Sequence, residues 1–273
     1  MEKYSVLMSL YIKEKPEYLK LAVDSMARQT LKPDEIVIVL DGEITKEQRE
    51  VLEACSLEYP DLIKIVGYEQ NQGLGFALNF GLSHCRNELV ARMDTDDIAR
   101  AQRCERQLKL FEKNPDLDMI GSSIQEFVET PGNVAGKRCV PVESDQIEKY
   151  LKTRCPFNHM TVMFKKSAVL AAGGYKDWFW NEDYYLWLRM FLNGCKFQNI
   201  EECLVDVRVG RDMYKRRGGM KYFKSEAKLQ GFMLKNKIIG LPTYAVNVAK
   251  RLIVQVLLPN WLRGWVFKKF ARE

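Results

Sequence analysis

Three aspartates lie within four residues of one another, directly after a run of apolar residues. Asp94, Asp96 and Asp97 follow the segment Leu89–Met93, which has the pattern of a buried strand. The repulsion among the three carboxylates is costly unless a divalent cation or solvent relieves it. Mg²⁺ and Mn²⁺ are commonly held by one or two carboxylates, with substrate phosphates completing the coordination shell. Because aspartates also cap helices and form turns, the cluster alone leaves a metal site and a turn open as alternatives.

A second acidic pair, Glu182 and Asp183, follows an aromatic loop that contains Trp178 and Trp180. Either acid could simply cap the helix that we predict to start there. Aromatic faces also stack on pyranose rings, and a carboxylate beside them could remove the proton of a sugar hydroxyl. Adjacent residues at a helix start diverge by about 100°, so only one of the two acids can face a reaction. We expect that residue to be Asp183. Trp180 and Glu182 are candidate contacts of the acceptor, the molecule whose hydroxyl would react.

Two isolated polar residues complete the set of candidates. Asp41 ends the apolar run 36–40 and precedes Gly42, so it is either a turn residue or a hydrogen-bond acceptor for a nucleotide base or ribose. His159 is one of two histidines in the chain, so a metal site built on it is not expected. A lone loop histidine is more often a hydrogen-bonded structural residue, and His159 is kept as a candidate contact on the acceptor side.

The elements that must position these residues alternate between strand and helix. We predict strands at 6–10, 36–40, 62–66, Leu89–Met93, Met119–Phe127 and 161–164. We predict helices that start at Pro16 and at a capping box over 45–48, and further helices within 71–81, 101–114, 167–172 and 183–193. In the last helix Tyr184, Leu188 and Leu192 should face inward. This order predicts a doubly wound, mostly parallel α/β sheet, in which Asp41 and the aspartate cluster meet beyond the carboxyl ends of the strands.

Composition and charge exclude several classes of protein. The 273 residues are 47% apolar and 29% charged, which favours a folded α/β domain with an appendage. Seven cysteines without a CxxC pair disfavour a disulfide framework and a zinc site. A dinucleotide site is also disfavoured, because Leu78 stands where the GxGxxG motif that starts at Gly73 needs its third glycine. No signal peptide or membrane-spanning run is recognised, so we expect a cytoplasmic protein.

Most of the net charge of +6 lies after Arg208, which indicates an anionic partner for the C-terminal part. A membrane surface or a phosphorylated lipid is favoured, and nucleic acid is not expected because no nucleic-acid motif accompanies the charge. Residues 245–258 and 261–270 mix apolar, aromatic and basic residues and are too interrupted to span a bilayer. They are expected to lie on the inner face of the cell membrane, or alternatively to dock on the domain or a partner.

The order and spacing of these segments resemble the family 2 glycosyltransferases, in particular members that build bacterial exopolysaccharide, capsule and O-antigen. The resemblance covers about residues 4–215 and rests on five motifs, which are 6–10, 36–41, 71–81 with its Ala-Leu-Asn core, 94–97 and 182–183. It implies a GT-A fold, a nucleoside-diphosphate sugar donor, a divalent cation (Mn²⁺ or Mg²⁺) and inversion at the anomeric carbon. It further implies that Asp41 contacts the nucleotide base, that Asp94 and Asp96 bind the metal and diphosphate, and that Asp183 is the general base.

We therefore expect residues 1–217 to form the glycosyltransferase domain, with a nucleotide-sugar half over about 1–115 and an acceptor half over about 116–217. Residues 218–273 should form a basic amphipathic helical segment. The expected donor is a UDP-sugar and the expected acceptor a lipid-linked glycan. A nucleotidyltransferase and a catalytically silent, membrane-bound assembly partner are the alternatives. Residues 208–217 resemble the tail motif of polysaccharide-assembling members, and could close over the diphosphate or form a solvated basic run.

Overall fold

Runs of apolar, mostly β-branched residues form the central strands of the sheet, because strands buried on both faces need apolar residues at successive positions. The computed structural model describes residues 2–210 and 218–259. Its strands are β1 (Tyr4–Leu10), β2 (Glu35–Asp41), β3 (Ile63–Tyr68), β4 (Leu89–Met93), β5 (Ile98–Ala99), β6 (Met119–Phe127), β7 (Val134–Arg138), β8 (Met163–Lys165) and β9 (Phe197–Arg208).

Helices cover both faces of this sheet. They are α1 (Pro16–Ala27), α2 (Lys46–Glu58), α3 (Leu74–His84), α4 (Arg103–Lys113), α5 (Ser144–Leu151), α6 (Lys166–Ala171), α7 (Glu182–Leu192), α8 (Met220–Lys235) and α9 (Leu241–Leu252). A 3₁₀ turn lies at His159–Thr161, and the π-helix Ile253–Leu257 continues α9. The capping box predicted at the start of α2 is present, since Thr45 and Gln48 exchange hydrogen bonds. No helix in the described part of the chain combines the length and apolarity needed to cross a bilayer.

The sheet is mixed, with the strand order β3-β2-β1-β4-β8-β6-β9-β5, and β7 pairs with the C-terminal half of β6 outside this order. The four strands β3, β2, β1 and β4 are parallel to one another, as predicted for the first half of the chain. β8 then pairs antiparallel with both β4 and β6. The α/β fold class is thus confirmed, and the antiparallel strand β8 joins the parallel half to the rest of the sheet.

Side chains of β1 divide between two cores because successive residues point to opposite faces. Val6 and Met8 pack with α1 and α4, whereas Leu7 packs with α3 and α7. A third core joins α8 to α7, through Leu229 and Leu188 among others. The C-terminal helices therefore pack directly on the domain.

The predicted element boundaries differ from the structure at a few places. Thr161 belongs to the 3₁₀ turn rather than to β8, and Leu192 at the end of α7 is exposed rather than inward. Strands β5, β7 and β9 and helix α5 had no counterpart in the prediction. β9 was missed because its run of polar residues, with Glu201 and Glu202 exposed, lacks a strict alternation. Its position is determined by parallel pairing with β6, which is interrupted by register shifts.

Candidate functional site

The three aspartates lie together just beyond the C-terminal end of β4. One carboxylate oxygen from each of Asp94, Asp96 and Asp97 lies within 4.8 Å of the other two. Burial, and then the charge of Asp94, raises the pKa of Asp96 to about 6. Burial and the charges of its two neighbours raise the pKa of Asp97 well above its ordinary value. Burial and mutual repulsion therefore make it costly for all three carboxylates to be ionised at once.

Two arginines contact this cluster. Arg92, which is almost fully buried on β4, forms an ion pair with Asp94. Two further nitrogens of Arg92, Nε and Nη1, have no hydrogen-bond partner among the described residues. From the end of β9, the backbone N–H of Arg208 donates to Asp97 at 2.8 Å. The guanidinium of Arg208 stacks over the ring of Tyr18, 3.7 Å from its centroid.

The donor set of the cluster fits a hard divalent cation. Carboxylate oxygens are the ligands that Mg²⁺ and Mn²⁺ prefer, whereas the nitrogen and sulfur ligands typical of zinc are missing from this cluster. A cation bound there would also remove the repulsion that raises the pKa of Asp96. Each of Asp94, Asp96 and Asp97 offers one oxygen to this site, and Asp97 also accepts a hydrogen bond from the backbone N–H of Arg208.

Asp41 stands at the end of β2 and organises the loop that leads into α3. Its Oδ1 accepts hydrogen bonds from the Tyr68 hydroxyl at 2.9 Å and from the Gln72 N–H at 2.8 Å. Its Oδ2 accepts from the Asn71 side chain at 2.9 Å and from the Gly73 N–H at 3.1 Å. The buried carboxylate thus fixes the backbone of residues 71–73.

Gly42 allows this loop to approach the end of β2. Its φ is +85°, a region that side chains other than glycine rarely adopt. A Cβ at this position would lie 2.6 Å from the backbone nitrogen of Asn71. The Asp-Gly pair at residues 41–42 therefore has a structural reason that is separate from any ligand.

Two cavities meet at the aspartate cluster. The Asp41 cavity, of about 760 Å³, is lined by Asp41, Asn71, Tyr175 and Glu182, among others. The Asp183 cavity, of about 660 Å³, is lined by His159, Asp183 and Arg208, and by residues of α8 and α9. The residues that line both cavities are Asp94, Asp96 and Trp180. These three residues form a shared wall.

The adjacent acids at the start of α7 face different cavities, as expected for neighbours on a helix. Glu182 lines the Asp41 cavity, and Asp183 lines the other cavity. Burial, followed by the charge of Asp183, raises the pKa of Glu182 to about 7. Burial also raises the pKa of Asp183, whose carboxylate accepts the N–H of Tyr184 at 2.6 Å.

Trp180 precedes α7 in an unusual backbone conformation. Its φ is +55°, in the left-handed region, which bulky residues occupy only where the surroundings enforce it. Its ring is 49% exposed and stacks on Phe179 with centroids 4.7 Å apart. Helix α8 holds this loop, since the Trp178 indole donates to the Ser225 carbonyl at 3.2 Å. These contacts hold the aromatic face of Trp180 in the wall between the cavities.

His159 lies in the Asp183 cavity, next to Tyr175. The two side chains are joined by a hydrogen bond of 2.9 Å between Nε2 and the tyrosine hydroxyl. Burial, with a smaller contribution from Arg92, lowers the pKa of His159 well below its ordinary value. The imidazole is therefore neutral near pH 7, and it offers a hydrogen bond rather than a charge.

The C-terminal helices supply a wall of the Asp183 cavity that the sequence did not reveal. Tyr222 and Glu226 come from α8, and Lys250 and Arg251 lie at the end of α9. The signal that pointed to them was the basic amphipathic pattern, which we interpreted as a surface for membranes or for docking. Residues 211–217 and 261–270, for which contacts were also expected, lie outside the described residues.

Comparison with known proteins identifies the family. Residues 5–170 match the family model described as glycosyl transferase family 2. The UDP-Gal:alpha-D-GlcNAc-diphosphoundecaprenol beta-1,3-galactosyltransferase of Escherichia coli is 42% identical over 271 residues, which cover 99% of this chain and 97% of the relative. The amylovoran biosynthesis glycosyltransferase AmsE of Erwinia amylovora is 42% identical over 239 residues, or 87% and 88% of the two chains. The chain belongs to glycosyl transferase family 2 and is a glycosyltransferase.

Solved structures agree on the fold. The S. aureus TarS fragment 1-349 in complex with UDP-GlcNAc superimposes with a TM-score of 0.68, covering 99% of this chain and 76% of that one. The mannosyltransferase PcManGT from Pyrobaculum calidifontis, in complex with GDP-Man and Mn²⁺, gives a TM-score of 0.62 over 96% and 72% of the two chains. Both are 15% identical to this chain, so they establish the GT-A fold alone.

Proposed function

We propose that this glycosyltransferase moves a sugar from a UDP-sugar to a hydroxyl of a lipid-linked glycan during surface-polysaccharide assembly, with inversion at the anomeric carbon. The observation that carries the proposal is the pair of cavities that meet at one carboxylate cluster. Direct displacement requires a donor and an acceptor on opposite sides of the anomeric carbon. The names of the Escherichia coli relative and of the TarS complex support a UDP-sugar donor, and the former supports a lipid-linked acceptor.

In this proposal the Asp41 cavity binds the donor. Asp41 and the loop at 71–73 border the nucleoside, and Glu182 faces the donor sugar. Asp94 and Asp96 would hold Mn²⁺ or Mg²⁺. A bound cation would offset the negative charge that develops on the departing nucleoside diphosphate. The Mn²⁺ present in the PcManGT complex supports such an ion for the fold.

The Asp183 cavity then binds the acceptor. The acceptor hydroxyl attacks the anomeric carbon while the Asp183 carboxylate takes its proton, and the bond to the diphosphate breaks on the opposite face. The raised pKa makes Asp183 a better proton acceptor than an ordinary aspartate. Trp180 offers an aromatic face for a pyranose ring, and His159 offers a hydrogen bond.

In this proposal residues 1–217 form the catalytic domain. The donor side lies mainly over about 1–115, with Tyr175 and Glu182 added from the second half, and the acceptor side lies over about 116–217. Helices α8 and α9 complete the acceptor cavity, and the segment 218–273 contacts the inner face of the membrane. The exposed apolar residues of α9 and its π-helical extension support that contact. They are Leu241, Val246, Ile253 and Leu257.

The membrane contact can be tested by replacing two of these residues. Serine at Leu241 and Ile253 should reduce pelleting with anionic liposomes, because less apolar surface enters the interface. Equal pelleting would contradict the proposal, and Leu57→Ser, at an exposed leucine of α2, is the control.

The central test is a transfer assay with UDP-sugars, Mn²⁺ and a diphosphate-linked acceptor. Asp183→Asn keeps the shape of the side chain but cannot accept the proton, so turnover should fall by about 10² or more. UDP affinity and melting temperature should stay close to those of the wild type. Glu182→Gln, the adjacent control, should retain more activity than Asp183→Asn. The opposite result would make Glu182 the base, and release of pyrophosphate instead of sugar transfer would indicate a nucleotidyltransferase.

A further inference from the structure

One wall of the Asp183 cavity is basic and is not used by the chemistry described above. This basic wall consists of Arg154, from the turn after α5, and of Lys250 and Arg251, from the end of α9. Glu226 of α8 lies against Arg251 and is the carboxylate that pairs with it. With three cations and one carboxylate, this part of the cavity has an excess of positive charge.

Arg251 serves as the structural anchor of the wall. Its Nε pairs with Glu226, its Nη1 donates to the Asn247 carbonyl at 3.3 Å, and its Nη2 donates to the Thr153 carbonyl at 2.8 Å. All three nitrogens of its guanidinium are therefore engaged. These contacts fix α9 against the turn that carries Arg154.

Arg154 and Lys250 are left without a counter-charge. Arg154 is half-buried and Lys250 is exposed, both line the cavity, and neither side chain has a hydrogen-bond or ion-pair partner among the described residues. A half-buried guanidinium loses hydration without gaining a partner unless an anion binds to it. The available carboxylate, Glu226, is already held by Arg251. The cavity thus presents two free cations to a ligand.

The basic wall lies close to Asp183 along the cavity. Arg138 interacts electrostatically with Asp183 and donates to the Cys155 carbonyl at 2.9 Å, and Cys155 is the neighbour of Arg154. A sugar whose hydroxyl reaches Asp183 carries its anomeric substituent on another edge of the same ring. That anomeric substituent would therefore project along the cavity and away from the cluster of Asp94, Asp96 and Asp97.

We propose that Arg154 and Lys250 bind the diphosphate that joins the acceptor sugar to its lipid; this inference rests on the proposed function. Guanidinium and ammonium groups are well suited to phosphate oxygens, and charge-assisted hydrogen bonds are stronger than neutral ones. In the proposed function the aspartate cluster serves the diphosphate of the donor, so the diphosphate of the acceptor is directed to the basic wall instead. The subsite selects a sugar diphosphate over a neutral glycoside of the same sugar.

The first experiment compares a GlcNAc-diphosphate-lipid acceptor with a neutral alkyl glycoside of GlcNAc. The double variant Arg154→Ala/Lys250→Ala should raise KM for the diphosphate acceptor by about tenfold or more, because two charge-assisted contacts are lost. The KM for the glycoside and for the UDP-sugar should not change. Lys152→Ala removes an exposed cation that does not line the cavity and serves as the matched control. Equal losses with both acceptors, or no loss with either, would overturn the inference.

The second experiment measures binding of inorganic pyrophosphate by calorimetry in EDTA, which keeps divalent cations from the aspartate cluster. The wild type and Lys152→Ala should bind alike, and the double variant should bind about tenfold more weakly. If the wild type binds pyrophosphate through these cations but transfers no sugar, the proposed function fails and the anion subsite stands. If the wild type transfers sugar and the double variant binds pyrophosphate as tightly as the wild type does, the proposed function stands and the proposed anion subsite is wrong.

A phospholipid headgroup would offer the same phosphate chemistry as the acceptor. Vesicles of phosphatidylglycerol distinguish the two, since the half-buried Arg154 should contribute little to vesicle binding, and the double variant then loses one exposed cation, Lys250, as Lys152→Ala loses one. The double variant and Lys152→Ala should therefore pellet alike. A larger loss of pelleting in the double variant would place Arg154 and Lys250 on the membrane surface and overturn the inference.

Discussion

The Asp41 cavity and the Asp183 cavity are built from different parts of the chain. The Asp41 cavity lies at the ends of parallel strands, where Asp41 is held by contacts with the loop before α3. The Asp183 cavity depends on α8 and α9, which begin after the family-model match ends at residue 170. In the proposed function the donor cavity is thus built largely from the part of the chain that the family model covers, and the acceptor cavity depends also on helices that the model does not cover.

The largest effect is expected where the two cavities share a wall. Asp96→Ala should abolish turnover and Mn²⁺-dependent UDP binding, because a carboxylate ligand and its charge are lost. The metal-free variant should be no less stable than the wild type, since the substitution removes a carboxylate whose pKa burial and repulsion raise. Calorimetry and thermal unfolding with and without Mn²⁺ measure both effects. Asp116→Ala, at an exposed aspartate, is the control; retained UDP affinity in Asp96→Ala would move the metal elsewhere.

An intermediate effect is expected from loosening the helical wall alone. Leu229 is fully buried between α8 and α7, so Leu229→Ala should lower the free energy of unfolding by about 2–5 kcal/mol. It should also raise the acceptor KM while leaving UDP affinity unchanged. Leu52→Ala in the core beneath the parallel strands should be destabilised similarly without the acceptor effect. If both variants change acceptor KM alike, the two cavities are not separately supported.

The smallest effect concerns the pH dependence of stability. Because the pKa of Glu182 is about 7 in the folded chain against 4.5 ordinarily, the folded state holds this proton longer than the unfolded state does. The contribution of Glu182 to the free energy of unfolding, which is fully present below pH 4.5, is therefore lost as pH rises towards 7. Glu182→Gln should remove this loss. The difference in melting temperature between the variant and the wild type should therefore increase from pH 5 to pH 8, by about 2–4 °C for each kcal/mol that the wild type loses. A pH-independent difference between the two proteins would contradict the raised pKa.

The difference between the strand ends and the C-terminal helices also explains which parts of the molecule could be predicted from sequence. The aspartate cluster and strand β4 were recognisable because an apolar run and the residues that follow it are local signals. Strand β9 was not, because its burial depends on pairing with β6, about 80 residues earlier in the chain. The basic wall depends on contacts across a similar separation, such as that of Arg251 with Thr153, which no local pattern contains. The side of the cleft that Glu182 faces likewise required the orientation of α7.

The wall that Asp94, Asp96 and Trp180 contribute to both cavities also bears on the order of events in a catalytic cycle. Because both cavities open onto the same three side chains, both substrates can be bound at the same time. Transfer then needs no glycosyl-enzyme intermediate between two half-reactions. Initial-rate plots at several fixed concentrations of the second substrate should then give intersecting rather than parallel lines. Because Trp180 borders both cavities, we expect each substrate to alter the apparent affinity for its partner.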